Sequence, residues 1–319
     1  MTLDVAIVGA GMAGLAAART VAAAGHAAHV FDKGRGVGGR LSTRRTEYGT
    51  FDHGAQFATV RDPAFSAYIA ELQGTGAVHV WDSVRSGAII GKPGMSVLVK
   101  AGFERQQGIS VTTSFEVTHI GKVAEGYVLS NDHGDHHGPF DKVIVTAPAP
   151  QAAHLLAAFG DPFGRLGDIS YAPSYTLLAA FDAPLDVTDV PDLRDGGGVA
   201  SACRQSARGP GRDSEHDLWV VQASPDFSAE HIEREREAMV PVLLRLFQDT
   251  VGINIPQPIY GAGHRWRYAL VDEALAEPFL ISADGDVAVA GDGLLGPRVE
   301  LAFLSGVHAA QALMERTSD

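Results

Sequence analysis

Cysteine is almost absent: Cys203 is the single one in 319 residues. One thiol excludes an intrachain disulfide framework, a four-cysteine zinc site and a cysteine-ligated iron–sulfur cluster. It fits a reducing compartment. Positive charge is also in short supply. Lys and Arg number 25 against 38 Asp and Glu, a formal net charge of −13. Phosphate backbones and anionic lipid repel such a chain, so neither nucleic-acid nor membrane-surface binding is expected as its task. No run of about 20 uninterrupted apolar residues offers a membrane span. The apolar stretch from Val5 to Ala18 follows Asp4 instead of a basic segment and is broken by three glycines, so it does not read as a signal peptide. A cytoplasmic location is expected. Apolar residues make up 45% and charged residues 20%, enough to build a sizeable core, and the length suggests about two domains.

Glycine, by contrast, is abundant, and its placement carries information. Leu3 to Val8 is a short apolar run with the look of a buried parallel strand. Gly9-Ala10-Gly11-Met12-Ala13-Gly14 follows directly, and then an Ala-rich helical stretch from Leu15 to Ala24, stopped by Gly25. Ala28 to Phe31 reads as a second strand, ending at Asp32, 18 residues after Gly14. Each piece of this G-x-G-x-x-G unit has a physical task. Gly9 permits the tight turn, Gly11 lets a pyrophosphate approach the backbone, and Gly14 lets helix and strand pack closely. The helix N-terminus offers free N–H groups and a positive dipole end. Asp32 can accept hydrogen bonds from a ribose diol. Dinucleotide binding by Gly9, Gly11, Met12, Ala13, Gly14 and Asp32 is the expectation.

The next segment selects the dinucleotide. Asp32-Lys33-Gly34-Arg35-Gly36-Val37-Gly38-Gly39-Arg40, continuing into Leu41-Ser42-Thr43, is a glycine-rich cationic loop suited to phosphate. It resembles the GG-R-x-x-T signature of the flavin-dependent amine-oxidase (glutathione-reductase-2) class. That resemblance implies FAD, with Lys33, Arg40 and Leu41 in the loop beside its pyrophosphate. A third block, the strand Asp286 to Ala290 followed by Gly291-Asp292 and by Arg298-Val299-Glu300 at the start of a helix running to about Met314, resembles the closing motif of the same class. The resemblance implies that Asp292 holds the ribitol or phosphate and that the helix beginning at Arg298, Val299 and Glu300 points its positive end at the flavin. Glu300 reads equally as a cap for backbone N–H groups. A second G-x-G-x-x-G is missing, so any electron donor is expected to reach the flavin in the substrate cavity itself.

Further stretches narrow the likeness. Asp32 to Arg45, Phe51-Asp52-His53-Gly54-Ala55-Gln56-Phe57, Gly91 to Ser96, Thr146 to Gln151, His264 to Ala269 and Gly291 to Gly306 resemble bacterial renalases and their close relatives. The similarity runs from about Val5 to Ala312 and is looser between 160 and 260. It implies a small FAD oxidase that takes hydride from dihydronicotinamide isomers (2- or 6-dihydro-NAD(P)), returns NAD(P)+ and passes the electrons to O2 as hydrogen peroxide. Its partners would be that small molecule and O2. Hydride transfer from a dihydropyridine leaves a cationic ring without loss of a proton, so no acid–base pair is required. By the same likeness His53, Gly54, Ala55, Gln56 and Phe57 run beside the isoalloxazine, and the Val117 backbone, in an expected strand Phe115 to Ile120, meets the adenine. Phe57, His264 and Trp266 line the substrate pocket. Lys92 reads as a loop residue before a helix from Met95 to Glu104. Two departures, Gly293 after the Gly-Asp and the short stretch between Trp81 and Gly91, lie near the substrate. A flavin amine oxidase acting on another reduced substrate, or an FAD protein without turnover, therefore stays open.

The remaining features have plainer readings. His133, Asp135, His136 and His137 fall between strands expected at Gly126 to Ser130 and Phe140 to Thr146, and read as a hairpin turn; no metal is expected. The charge run Glu230 to Glu237 should form the outer face of one helix from Ser228 to Asp249, packed through Ile232, Met239, Leu243, Leu246 and Phe247. Arg204 to Asp213 reads as a mobile loop at the cavity mouth. Strands are expected at Tyr175 to Phe181, His216 to Ala223 and Pro258 to Tyr268, with Trp219 in the core. The fold class is α/β: a discontinuous Rossmann-type FAD-binding domain (1–60, 90–160 and 283–319) beside a mixed-sheet α+β substrate domain (61–89 and 161–282).

Overall fold

A computed structural model describes residues 2–81, 86–188, 197–206, 208–209, 212 and 214–315. Its centre is a six-stranded sheet in the order Leu280–Ile281, Val287–Val289, Lys142–Val145, Asp4–Val8, Ala27–Phe31 and Ile109–Thr112. All neighbours run parallel except the Leu280–Ile281 edge strand, which is antiparallel. Val5, Ala6, Ile7, Val143, Ile144 and Val145 are buried, as near-continuous apolar runs covered on both faces must be. The helix Met12–Ala23 covers one face beside the helix Val299–Glu315. The two approach closely because Gly306 has no side chain: a Cβ there would overlap the Ala13 carbonyl oxygen.

The second sheet is antiparallel, in the order Val199–Arg204, Asp217–Ala223, Ser170–Phe181 and Tyr260–Glu273. Alternation along its strands serves two cores. Tyr175, Leu177, Ala179, Phe181, Trp219 and Val221 meet Met239, Leu243 and Phe247 of the helix Arg236–Val251. Leu178, Ala180, Leu218 and Val220 face the other way, onto Phe51. Trp219 is fully buried, as its sequence context suggests. Smaller sheets pair Thr43–Thr46 with Gly49–Asp52, and Ala88–Gly91 with both Ala58–Thr59 and Val78–Val80. The short stretch between Trp81 and Gly91 lies partly outside the described residues, at 82–85. No helix among the described residues is long and apolar enough to cross a membrane.

Three local expectations are corrected. Residues 114–118 do not form a strand: Ser114 N donates to Gly34 O and Phe115 N to Asp32 O, so this piece is a connector tied across the end of Ala27–Phe31. The strand expected at Phe140 to Thr146 is two strands. His136–Phe140 closes a three-stranded meander with Gly126–Ser130 and His119–Val123, whereas Lys142–Val145 enters the central sheet. His133 and Asp135 sit in the turn between hairpin strands, and His136 and His137 on the strand itself. The long Ser228 helix is two helices, Pro225–Glu230 and Arg236–Val251. Between them the Ile232 and Arg234 carbonyls accept from Arg265 Nη1 (2.6 Å) and Tyr175 Oη (2.5 Å), side chains of the sheet, which holds the chain in a turn and leaves Ile232 out of the core.

Candidate active site

The G-x-G-x-x-G turn sits where the central strand Asp4–Val8 meets the helix Met12–Ala23. Gly9 takes φ +110°, and its N–H donates to Phe31 O at 2.7 Å. A Cβ on Gly14 would overlap the Gly9 carbonyl oxygen, so the turn closes only on glycine there. Gly11 differs: a Cβ there would meet no atom within 4 Å. The helix that starts after Gly11, at Met12 and Ala13, has no side-chain cap and no acid in its first turn. Its free N–H groups and open glycine form a place for an anion with phosphate geometry.

Asp32 ties two glycine-rich loops together. Its Oδ2 accepts from Ala10 N and its Oδ1 from Gly34 N, both at 2.7 Å. A carboxylate has about four acceptor positions, so a ribose diol still has places to bind. Gly38 N donates to Ala10 O at 2.9 Å, seating the second loop on the first. Gly39, at φ +55°, lies so close that a Cβ would stand 3.3 Å from Gly11 Cα. Leu41 is buried beneath this loop, while Lys33 is exposed and pairs with Glu116 at 3.5 Å.

Arg40 joins the ends of the chain. Its Nη2 lies 2.6 Å from Asp292 Oδ1, 252 residues away, and its Nη1 donates to Ala269 O at 3.3 Å. Its carbonyl accepts from Ala55 N at 2.9 Å, and Gly54 packs so tightly there that a Cβ would overlap it. The three glycine-bearing motifs and the Phe51–Phe57 stretch therefore converge. Val117 is buried beside the Asp32 end of this groove. Val299 packs against the core of the central sheet. Glu300 does not face the cradle: its buried Oε1 accepts from Arg61 N (2.6 Å) and Asp62 N (2.7 Å), and Arg298 Nη1 stands 3.0 Å from its Oε2. It is a backbone cap, but for a neighbouring segment instead of its own helix.

The antiparallel sheet supplies the facing wall. Trp266 Nε1 donates to His53 O at 2.8 Å, and its indole stacks on the His53 ring at 5.5 Å and 23°. His264 sits edge-on to both, with centroids 4.7 Å from His53 and 4.4 Å from Trp266. Burial lowers the His53 pKa to about 4 and the His264 pKa to about 3. The Arg44 charge pushes both further down, and His53 itself also depresses His264. Both imidazoles are neutral at neutral pH. Gln222 Nε2 donates to Gly54 O at 2.8 Å, and Phe57 meets Trp81 edge-on at 6.4 Å.

Two groups were not visible from sequence spacing. Arg208 and Arg212, expected in a mobile surface loop, are buried. Arg212 Nη1 lies 2.6 Å from the fully buried Asp52 carboxylate, and Arg208 Nη1 lies 3.5 Å from it. Arg208 also bonds Gln56 Oε1 (3.0 Å), Gln205 Oε1 (3.1 Å) and the Gln56 carbonyl. Ala207, Pro210, Gly211 and Asp213 of that loop lie outside the described residues. The second is Tyr171. A Cβ on Gly293 would stand 2.5 Å from Tyr171 Oη and 3.2 Å from Ile169 Cγ2. The tyrosine thus occupies the space that a side chain at 293 would need, with its ring 5.7 Å from Tyr268 and 5.8 Å from the Arg40 guanidinium.

Comparisons with known proteins agree with this arrangement. The NAD(P)-binding Rossmann-like domain family matches residues 7–72, and the flavin containing amine oxidoreductase family matches residues 81–314. A 4,4'-diapophytoene desaturase from Staphylococcus haemolyticus is 45% identical over 60 residues, and its Staphylococcus aureus counterparts 38% over 60. These matches span 19% of this chain and only 12% of the desaturases. Among solved structures, a protein of Exiguobacterium sp. 255-15 provisionally described as a protoporphyrinogen oxidase superposes with TM-score 0.76 at 13% identity, covering 99% of both chains. A redesigned putrescine oxidase gives 0.73 at 13%, again over 99% of both chains. An oxidoreductase from Methanosarcina mazei gives 0.62 at 15%, over 98% of this chain and 100% of that one. With an open Gly11, an uncapped helix end and acceptor positions to spare on Asp32, the groove fits FAD, and the chain belongs to the flavin containing amine oxidoreductase family.

Proposed function

We propose that this enzyme oxidises a neutral dihydropyridine, a 2- or 6-dihydro isomer of NAD(P), to NAD(P)+, with O2 as the final acceptor and hydrogen peroxide as the second product. One observation carries the reading: every buried carboxylate among the described residues is already bonded. Asp52 is held by Arg212, Thr43 Oγ1 and Met95 N. Asp217 is held by Arg204, Trp219 Nε1 and Leu185 N. Glu300 is held by Arg61 N, Asp62 N and Arg298. No buried acid among the described residues is left over to receive an ammonium, and the Arg44 field that depresses both histidines opposes one.

Held by the Gly9–Gly14 turn, Asp32 and the loop ending at Arg40, FAD would supply the two-electron redox chemistry. The protein's share is placement. His53, His264 and Trp266 form an uncharged aromatic wall against which a planar ring can lie. Neutral imidazoles do not trap the cationic product ring, which favours its departure. The proposed division of labour assigns 1–60, 90–160 and 283–319 to the cofactor and the rest to the substrate.

The test is an anaerobic titration of the holoenzyme with borohydride-generated NAD(P)H isomers, authentic NADH and putrescine. Rapid bleaching by the isomers, then stoichiometric peroxide on admitting air, supports the reading. Bleaching by the amine but not by the isomers overturns it.

A further inference from the structure

We infer that Tyr171, a residue of the antiparallel sheet, takes part in holding FAD: its hydroxyl donates a hydrogen bond to the ribityl chain between the phosphates and the ring. This holds whichever small molecule the enzyme oxidises. Tyr171 stands at the start of the strand Ser170–Phe181, where the register against Tyr260–Glu273 shifts between Ser170 and Tyr171. Such an irregularity re-aims a side chain. Further along, Tyr175, Leu177 and Ala179 enter the core of their own sheet, whereas Tyr171 packs against the core of the central sheet. Its hydroxyl oxygen accepts from Ala149 N at 3.2 Å, just beyond the Lys142–Val145 strand.

Three contacts place the ring at the clasp that joins the two ends of the chain. The Arg40 guanidinium lies 5.8 Å from the ring centroid, while its Nη2 pairs with Asp292 at 2.6 Å. Tyr268 meets the ring edge-on at 5.7 Å. Gly293, next to Asp292, leaves the hydroxyl its room: a Cβ there would stand 2.5 Å from Oη and 3.4 Å from Cζ. The hydroxyl is fixed in place but only half used. Its oxygen serves Ala149 N, and among the described residues its own hydrogen has no acceptor. Burial, and then the Asp292 charge, push its pKa up, so that hydrogen stays on at neutral pH. The order of residues along the groove selects the acceptor. Asp32 lies at one end, and Gly39 lies against Gly11 at the phosphate turn. Arg40 follows, and its carbonyl receives Ala55 N from the stretch expected beside the ring. The clasp therefore falls between phosphates and ring, where FAD presents the hydroxyls of its ribityl chain. A hydroxyl both donates and accepts, so it can take the Tyr171 hydrogen and give its own to Asp292.

The measurement is the affinity of the apoprotein for FAD, read from flavin fluorescence, beside its affinity for ADP, read by competition, and its melting temperature. Tyr171→Phe keeps the ring over Arg40 and removes the hydroxyl alone. It should weaken FAD about tenfold, the worth of one good hydrogen bond, and leave ADP unchanged. ADP carries two phosphates but no ribityl chain, so it separates the two halves of the groove. Gly293→Ala puts a methyl group where the hydroxyl stands and should reproduce the loss by an independent route. The double variant should bind FAD no more weakly than the weaker single variant, because both act on one bond. Unchanged FAD affinity in Tyr171→Phe, equal losses for FAD and ADP, or additive losses in the double variant overturns the assignment. A merely structural role, exerted through Ala149 N, would lower the melting temperature and the ADP affinity together. Where a variant precipitates without flavin, the rate of FAD release from the holoenzyme on dialysis takes the place of the titration. Release about tenfold faster in both single variants supports the bond, and release at the wild-type rate overturns it. None of these outcomes depends on which reductant bleaches the flavin, so this assignment and the dihydropyridine reading fail separately.

Discussion

Asp52 and Arg212 face each other at 2.6 Å with both side chains almost wholly out of solvent. This pair, with Arg208 alongside, couples the end of the Gly49–Asp52 strand to the connector between two strands of the antiparallel sheet. Arg208 also bonds the side chain and carbonyl of Gln56, three residues after His53.

Breaking it from one side leaves a guanidinium buried without its carboxylate. Asp52→Asn should therefore lower unfolding stability by about 3–5 kcal/mol, which urea titration measures. A loss below about 1 kcal/mol would mean that the pair is solvated in practice.

Gly11 and Gly14 make opposite predictions. Gly11→Val adds a side chain to empty space at an unstrained φ of −86°. The apoprotein should keep its stability to within about 1 kcal/mol while FAD retention collapses. Gly14→Ala forces a methyl group onto the Gly9 carbonyl oxygen and should cost about 3 kcal/mol as well as the flavin. Thermal melts of apoprotein beside the flavin-to-protein absorbance ratio separate the two. A yellow Gly11→Val would show that the phosphates do not pass there.

The Arg40–Asp292 pair closes the groove with partly exposed side chains, so its stabilising effect on the apoprotein is modest. Arg40→Gln and Asp292→Asn should each weaken FAD retention about tenfold or more, and the double variant should fall short of the summed effect because the two share one contact. Dialysis against FAD-free buffer reads all three.

The histidines fix an acid response. Unfolded, each titrates near 6.5; folded, His53 titrates at about 4 and His264 at about 3. Between those limits the unfolded chain binds more protons. The stabilising contribution is complete above pH ~6.5 and declines as the pH falls through 4 toward 3. Melting temperature should drop across that window, and less steeply in His264→Phe. Parallel curves for the two proteins would assign the acid response elsewhere.

The strand–turn–helix–strand opening was readable because its signals are local: Gly9, Gly14 and Asp32 act within a few residues of their own strands. The alternation around Trp219 and Leu218 was readable for the same reason. What escaped was set by partners far along the chain. Arg208 and Arg212 look like surface residues until Asp52, 156 residues before Arg208, is brought beside them. The charge run after Glu230 has helical spacing, yet Arg265 and Tyr175 capture the carbonyls that a continuous helix would use. Glu300 sits in a first helical turn, where a cap belongs, but the N–H groups it serves, at Arg61 and Asp62, lie 239 and 238 residues away. Tyr171 filling the space over Gly293 carries no sequence signal at all.

The strand Val287–Val289 and the helix Val299–Glu315 complete the central sheet and its covering layer from the far end of the chain. During synthesis, the Lys142–Val145 strand therefore waits with a bare edge while well over a hundred further residues are added. A ribosome that has not yet reached Val287 would hold a half-built groove, and the coenzyme can be locked in only after translation of its closing wall.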